Sequence, residues 1–155
     1  MKEIVEKLIE TNKTISTMES CTGGALASEI TNVEGSSEVF KFGAVTYSNE
    51  FKIKMGVDEK VIDKYSVYSK ETSISMAKTI SSYTNSNYGI GITGKLNRVD
   101  KNNLFGEDNI VYISIYEKDI DKIYSFDIKV TRENRELNKL EVIEFIEKKL
   151  ANIIK

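Results

Sequence analysis

No histidine occurs among these 155 residues, and neither proline nor tryptophan is present. Without histidine there can be no Ser-His-Asp or Cys-His nucleophile system and no His-ligated metal site. Any serine activated in this chain therefore needs a lysine or another base. The single cysteine, Cys21, has no partner for an internal disulfide, which suits a reducing compartment and a buried structural thiol. No apolar run approaches the roughly 20 residues that cross a bilayer. The N-terminal stretch MKEIVEKLIE is charged and amphipathic, unlike a secretory signal. A cytoplasmic protein without a membrane partner is expected. A net charge of −2 gives no general attraction for nucleic acid, and direct nucleic-acid binding is not expected. The acidic residues show no metal-ligand spacing, so the reading assigns no metal and no cofactor.

What is present fits one α/β domain over residues 1–155, with 40% hydrophobic and 30% charged residues. Ile4, Val5, Leu8 and Ile9 recur at helical spacing over 2–11. A short β-prone run, 14–18, precedes a helix over 22–30, and a strand over 40–47 precedes a short helix over 49–55 that stops at Gly56. A helix over 70–83 leads to a glycine-punctuated buried strand over 87–93. Residues 97–108 read as a polar loop. Strands over 111–116 and 123–130 pair around the turn EKDIDK, and Tyr124, Phe126, Ile128 and Val130 share one face. The last helix, 133–152, aligns Leu137, Leu140, Ile143, Ile146, Leu150 and Ile153 as a core stripe. Helices interleaved with strands, closed by a hairpin, predict a mixed sheet.

Chemistry concentrates in residues 18–57. Glu19-Ser20-Cys21-Thr22-Gly23-Gly24 falls between a predicted strand and a predicted helix. Free amides at such a helix start, with hydroxyls beside them, suit a phosphate or an oxyanion; the same residues serve equally as a helix cap with packing glycines. The Gly-Lys-Ser/Thr ending of a Walker loop is missing. Gly35-Ser36-Ser37 reads as a turn. Tyr47 and Lys52 straddle a strand end and a helix start. A lysine there is ordinarily a solvated charge, but once desolvated it loses its proton near neutrality and becomes a general base, with Tyr47 placed to hold it or relay a proton.

Taken together, E-S-C-T-G-G, G-S-S-x-x-F and G-x-V-T-Y-S-N-x-x-K-x-x-x-G-V resemble the CinA C-terminal domain family, in the stand-alone form without its molybdopterin-binding-like domain. The resemblance implies a single-domain, three-layer α/β/α sandwich. It also implies the activity of the family's nicotinamide-nucleotide amidases, which hydrolyse nicotinamide mononucleotide to nicotinate mononucleotide and ammonia through a Ser/Lys dyad. Carried over by motif, Ser37 is the nucleophile and Lys52 its base, with Ser20 and Tyr47 completing proton transfer and Ser20 the alternative nucleophile. Thr22, Gly23, Gly24, Asn49, Thr93, Gly94 and Arg132 become the substrate-binding set, Arg132 toward the phosphate. A small-molecule nucleotide is the expected partner, and the resemblance makes a homo-oligomer plausible. One region departs from the family pattern: where an S-G-x-A-G-P-x-G-G stretch is usual, this chain has Gly91-Ile92-Thr93-Gly94-Lys95-Leu96-Asn97-Arg98. That change makes a nucleotide-binding or interaction module without turnover the competing expectation.

Overall fold

The computed structural model describes residues 1–155. Five strands form one sheet: β1 (Ile15–Glu19), β2 (Phe40–Val45), β3 (Tyr88–Gly94), β4 (Ile110–Glu117) and β5 (Lys122–Lys129). Their order is β2-β1-β3-β4-β5, with β2, β1 and β3 parallel, β4 antiparallel to β3, and β5 antiparallel to β4. The helices are α1 (Lys2–Glu10), α2 (Ala25–Thr31), α3 (Asn49–Lys54), α4 (Glu59–Tyr65), α5 (Lys70–Thr84) and α6 (Arg135–Ile153). No helix is long and apolar enough to cross a membrane.

Alternation along the strands decides the layering. On one face Ile15, Ile90, Ile92, Val111, Ile113 and Ile115 meet Ile4, Val5 and Leu8 of α1, Leu26 and Ile30 of α2, and Val142, Ile143, Ile146 and Leu150 of α6. The expected inward face of β5, with Tyr124, Phe126 and Ile128, packs against this cluster. The opposite face is built differently, from small residues. Gly89 and Gly91 of β3 lie against α5 so closely that a Cβ on Gly91 would sit 2.2 Å from the Ser73 carbonyl oxygen. Ser73 and Ser114 share a hydrogen bond of 2.7 Å across the same seam. A smaller apolar cluster, including Met18, Met76 and Ile80, completes that side. The result is the three-layer mixed α/β/α sandwich that the motifs implied.

Local chemistry moves several boundaries. Gly23 and Gly24 both have positive φ, 62° and 94°, so the turn continues to Gly24 and α2 starts at Ala25 rather than at Thr22. Asp58 caps α4, a seven-residue helix too short to show a periodicity in the sequence. In α6 the buried stripe includes Asn138 and Val142, and Leu140 is half exposed instead of lying in the core. The Asn138 side chain accepts from the Arg132 amide at 2.9 Å, which fixes the entry to the helix and sets its rotation.

The connections create a crevice. From β1 the chain passes to β2 on one side, then crosses back to place β3 on the other side of β1. At such a switch point the loops leaving the carboxyl ends of neighbouring parallel strands diverge, and open α/β sheets bind ligands there.

Candidate active site

A cavity of about 710 Å³ opens at that crevice. Ser20 and Cys21, which follow β1, line it, as do Tyr47, Ser48, Asn49 and Lys52 after β2, Gly94 at the end of β3, and Lys95, Leu96 and Arg98 beyond it. Arg135, at the start of α6, completes one wall.

Lys52 is 1% exposed. Ser48 caps α3 by accepting from the Phe51 amide at 3.2 Å, and this short helix turns Lys52 inward. The ammonium donates to Ser20 Oγ at 3.0 Å and to the Thr46 carbonyl at 2.7 Å. No carboxylate offsets its burial, and desolvation pushes its pKa from 10.5 down to about 8. A neutral amine is therefore accessible at mildly alkaline pH, in contact with a serine hydroxyl. Cys21 lies beside this pair, but burial pushes its thiol up to about 12, so it stays protonated and is a poor nucleophile.

Glu19 organises the turn that carries Ser20. Its carboxylate is fully buried and accepts from the amides of Leu26 and Ala27 at 3.1 and 2.8 Å and from the Thr22 hydroxyl at 2.6 Å. The start of α2 is thus already occupied by the chain's own carboxylate, which corrects the expectation of free amides there for a phosphate. Thr22 faces Glu19 and lies, with Gly23 and Gly24, outside the cavity lining. The Ser20 amide is held by the Ile92 carbonyl at 3.0 Å, while the next two amides, of Cys21 and Thr22, make no hydrogen bond within the chain.

The pairing of Ser37 with Lys52 is also corrected. Ser37 is exposed in a 3-10 turn, Ser36–Glu38, just before β2 begins, whereas Lys52 follows β2's end. A six-residue strand separates the two positions by about 20 Å along its length. Tyr47 reaches the cavity mouth, but its hydroxyl accepts from Arg135 at 2.8 Å rather than holding Lys52. Arg132 pairs with Glu144 away from the cavity, and Arg135, the first residue of α6, lines it instead. Thr93 is buried and donates to the Val67 carbonyl at 2.9 Å, outside the lining. Gly94 and Asn49 do line the cavity, and Asn49 reaches Asn103 of the following loop at 3.5 Å.

Lys95, Arg98 and Arg135 carry no distinguishing signal in the sequence, because a cation in a loop or at a helix start ordinarily reads as solvated. Tyr68, from the segment between α4 and α5, donates to Asp100 and holds that carboxyl below its usual range.

A family profile described as CinA C-terminal domain matches residues 1–150. A CinA-like protein of Kosmotoga olearia is 47% identical over 96 residues, which cover 61% of this chain and 23% of that protein. The matched stretch thus spans about a quarter of that curated relative. A CinA superfamily protein of Klebsiella pneumoniae superposes with a TM-score of 0.89 at 19% identity, covering 99% of this chain and 94% of the other. The competence/damage inducible protein CihA of Agrobacterium tumefaciens superposes at 0.85 with 23% identity, covering 99% and 95%. At these identities the superpositions establish the shared fold.

Proposed function

The chain belongs to the CinA C-terminal domain family, and from that membership we propose that its cavity hydrolyses the carboxamide of nicotinamide mononucleotide to nicotinate mononucleotide and ammonia. The observation that carries the reading is the buried Lys52 ammonium on Ser20 Oγ, with its pKa pushed down to about 8 by desolvation. Ser20 replaces Ser37 as the nucleophile.

In its neutral form Lys52 accepts the Ser20 proton as Oγ attacks the carboxamide carbon. The amide of Cys21, next to Ser20 in the cavity lining and without a partner in the chain, is a donor available to the developing oxyanion. As the tetrahedral adduct collapses, the C–N bond breaks and the proton held by Lys52 passes to the leaving nitrogen, which departs as ammonia. Water then attacks the acyl-serine ester with Lys52 again as base. The acid is released and the Ser20 hydroxyl restored. The Thr46 carbonyl orients Lys52 throughout.

Ammonia release from purified protein and nicotinamide mononucleotide tests the proposal. Ser20→Ala should lower kcat by several orders of magnitude, whereas Ser37→Ala should leave it near the unmodified level. Equal activity in both variants would remove Ser20 from the mechanism. The replaced loop after Gly94 favours a second reading, a nucleotide-binding module without turnover, which predicts calorimetric binding of the nucleotide with no ammonia.

A further inference from the structure

The loop after β3 contains charge that the proposed chemistry does not use. Lys95 lines the cavity and is 3% exposed, a depth at which lysines are rarely found unpaired. An ammonium has three donors. One reaches Asp108 Oδ1 at 3.2 Å, the nitrogen lies 5.1 Å from the centre of the Tyr68 ring, and no other acceptor in the chain is engaged. Asp108 is itself 43% exposed, so water competes for the one carboxylate that Lys95 touches; Asp100 is near enough to interact with Lys95 through space but makes no direct contact with it.

The rest of the wall has the same sign. Arg98, three residues on, and Arg135, from α6, line the cavity and form no ion pair. Asp100 is the only carboxylate in the lining, and it is engaged by Tyr68, the Asn102 amide and the Asn103 side chain. A buried cation with unused donors, sharing its cavity with two guanidiniums that have no carboxylate partner, matches a ligand that brings concentrated negative charge and several acceptor oxygens.

We propose that Lys95, with Arg98 and Arg135, binds the phosphate monoester of a nucleotide, and that Lys95 is the contact that selects the nucleotide over its phosphate-free nucleoside. The inference rests on the reading of this cavity as the substrate site.

Calorimetric titration with nicotinamide mononucleotide, nicotinamide riboside and ribose 5-phosphate tests it on the unmodified protein and on Lys95→Met. The substitution should weaken both phosphate esters by about 10- to 100-fold and change the riboside by no more than about twofold. An equal loss for all three ligands, or no loss for the phosphate esters, overturns the proposal. Should Lys95→Met fail to fold, Asp108→Asn decides instead. It leaves the donors of Lys95 in place and removes the competing carboxylate, so phosphate-ester binding should tighten by about threefold or more, and unchanged binding overturns the proposal. The readout does not depend on turnover. Lys95-dependent phosphate binding without ammonia release refutes the amidase alone, whereas ammonia release with a KM indifferent to Lys95 refutes this inference alone.

Discussion

Replacing Lys52 by methionine should stabilise the protein while abolishing its proposed chemistry. The side chain is 1% exposed and its pKa falls from 10.5 to about 8, a difference equivalent to about 3 kcal/mol of unfavourable charge burial. Methionine removes that penalty but leaves the Thr46 carbonyl and the Ser20 hydroxyl without their partner, at a cost of about 1–2 kcal/mol. The net gain near pH 7 is about 1–2 kcal/mol, a rise in Tm of about 2–8 °C for a chain of this length. The pH dependence is more diagnostic than the net value. Below pH 8 Lys52 is charged in both folded and unfolded states, and the unmodified protein bears the full penalty. Between about 8 and 10.5 the unfolded chain binds the extra proton, so the stability of the unmodified protein rises with pH and the gap to the mutant closes. Other groups titrating in that window, Cys21 among them, cancel to first order in the comparison. Urea unfolding of both proteins from pH 6.5 to 10.5 measures the gap directly. A gap that stays constant across that range would refute the claim that Lys52 is buried with a depressed pKa.

Two further outcomes test the frame around the site. Gly91→Ala places a methyl group 2.2 Å from the Ser73 carbonyl oxygen and 2.6 Å from the Ala77 amide nitrogen, both backbone atoms of α5, and should destabilise by about 1–3 kcal/mol in denaturant unfolding; an unchanged midpoint would mean that α5 does not sit on β3 as described. Glu19→Ala removes the acceptor for two α2 amides and the Thr22 hydroxyl, all at buried or part-buried positions, and should lower stability by about 2–4 kcal/mol, with retained stability counting against the capping role.

Much of the architecture was legible because strand alternation and helix spacing act locally. The inward residues of β5 and the hairpin before it were readable in this way. Ser20 and Lys52 were legible as candidates because motif spacing placed them at element ends, although 32 positions separate them in sequence. Their partnership was not legible, since Ser37 belongs to the same set of motifs and only the length of β2 removes it to the far end of the sheet. Arg132 precedes the cap of α6 and Arg135 is its first residue, and the Asn138 and Asn134 side chains fix where that helix starts. Lys95 is not legible in the sequence because its neighbours are Tyr68, brought over from a separate segment, and Asp108, thirteen positions on.

The three parallel strands give the crevice a division of labour that bears on how such a protein diversifies. The proposed nucleophile leaves β1, its base leaves β2, and Lys95 and Arg98 of the cationic wall leave β3, each on a separate connection, with Arg135 added from α6. A lineage can therefore exchange the third connection and keep the reactive pair, because the contacts that join Lys52 to Ser20 and Thr46 do not involve it. A protein engineer has the same freedom. Residues 95–109 form a replaceable cassette between fixed strands, and a library confined to it samples new ligand preferences while the reactive pair stays in place.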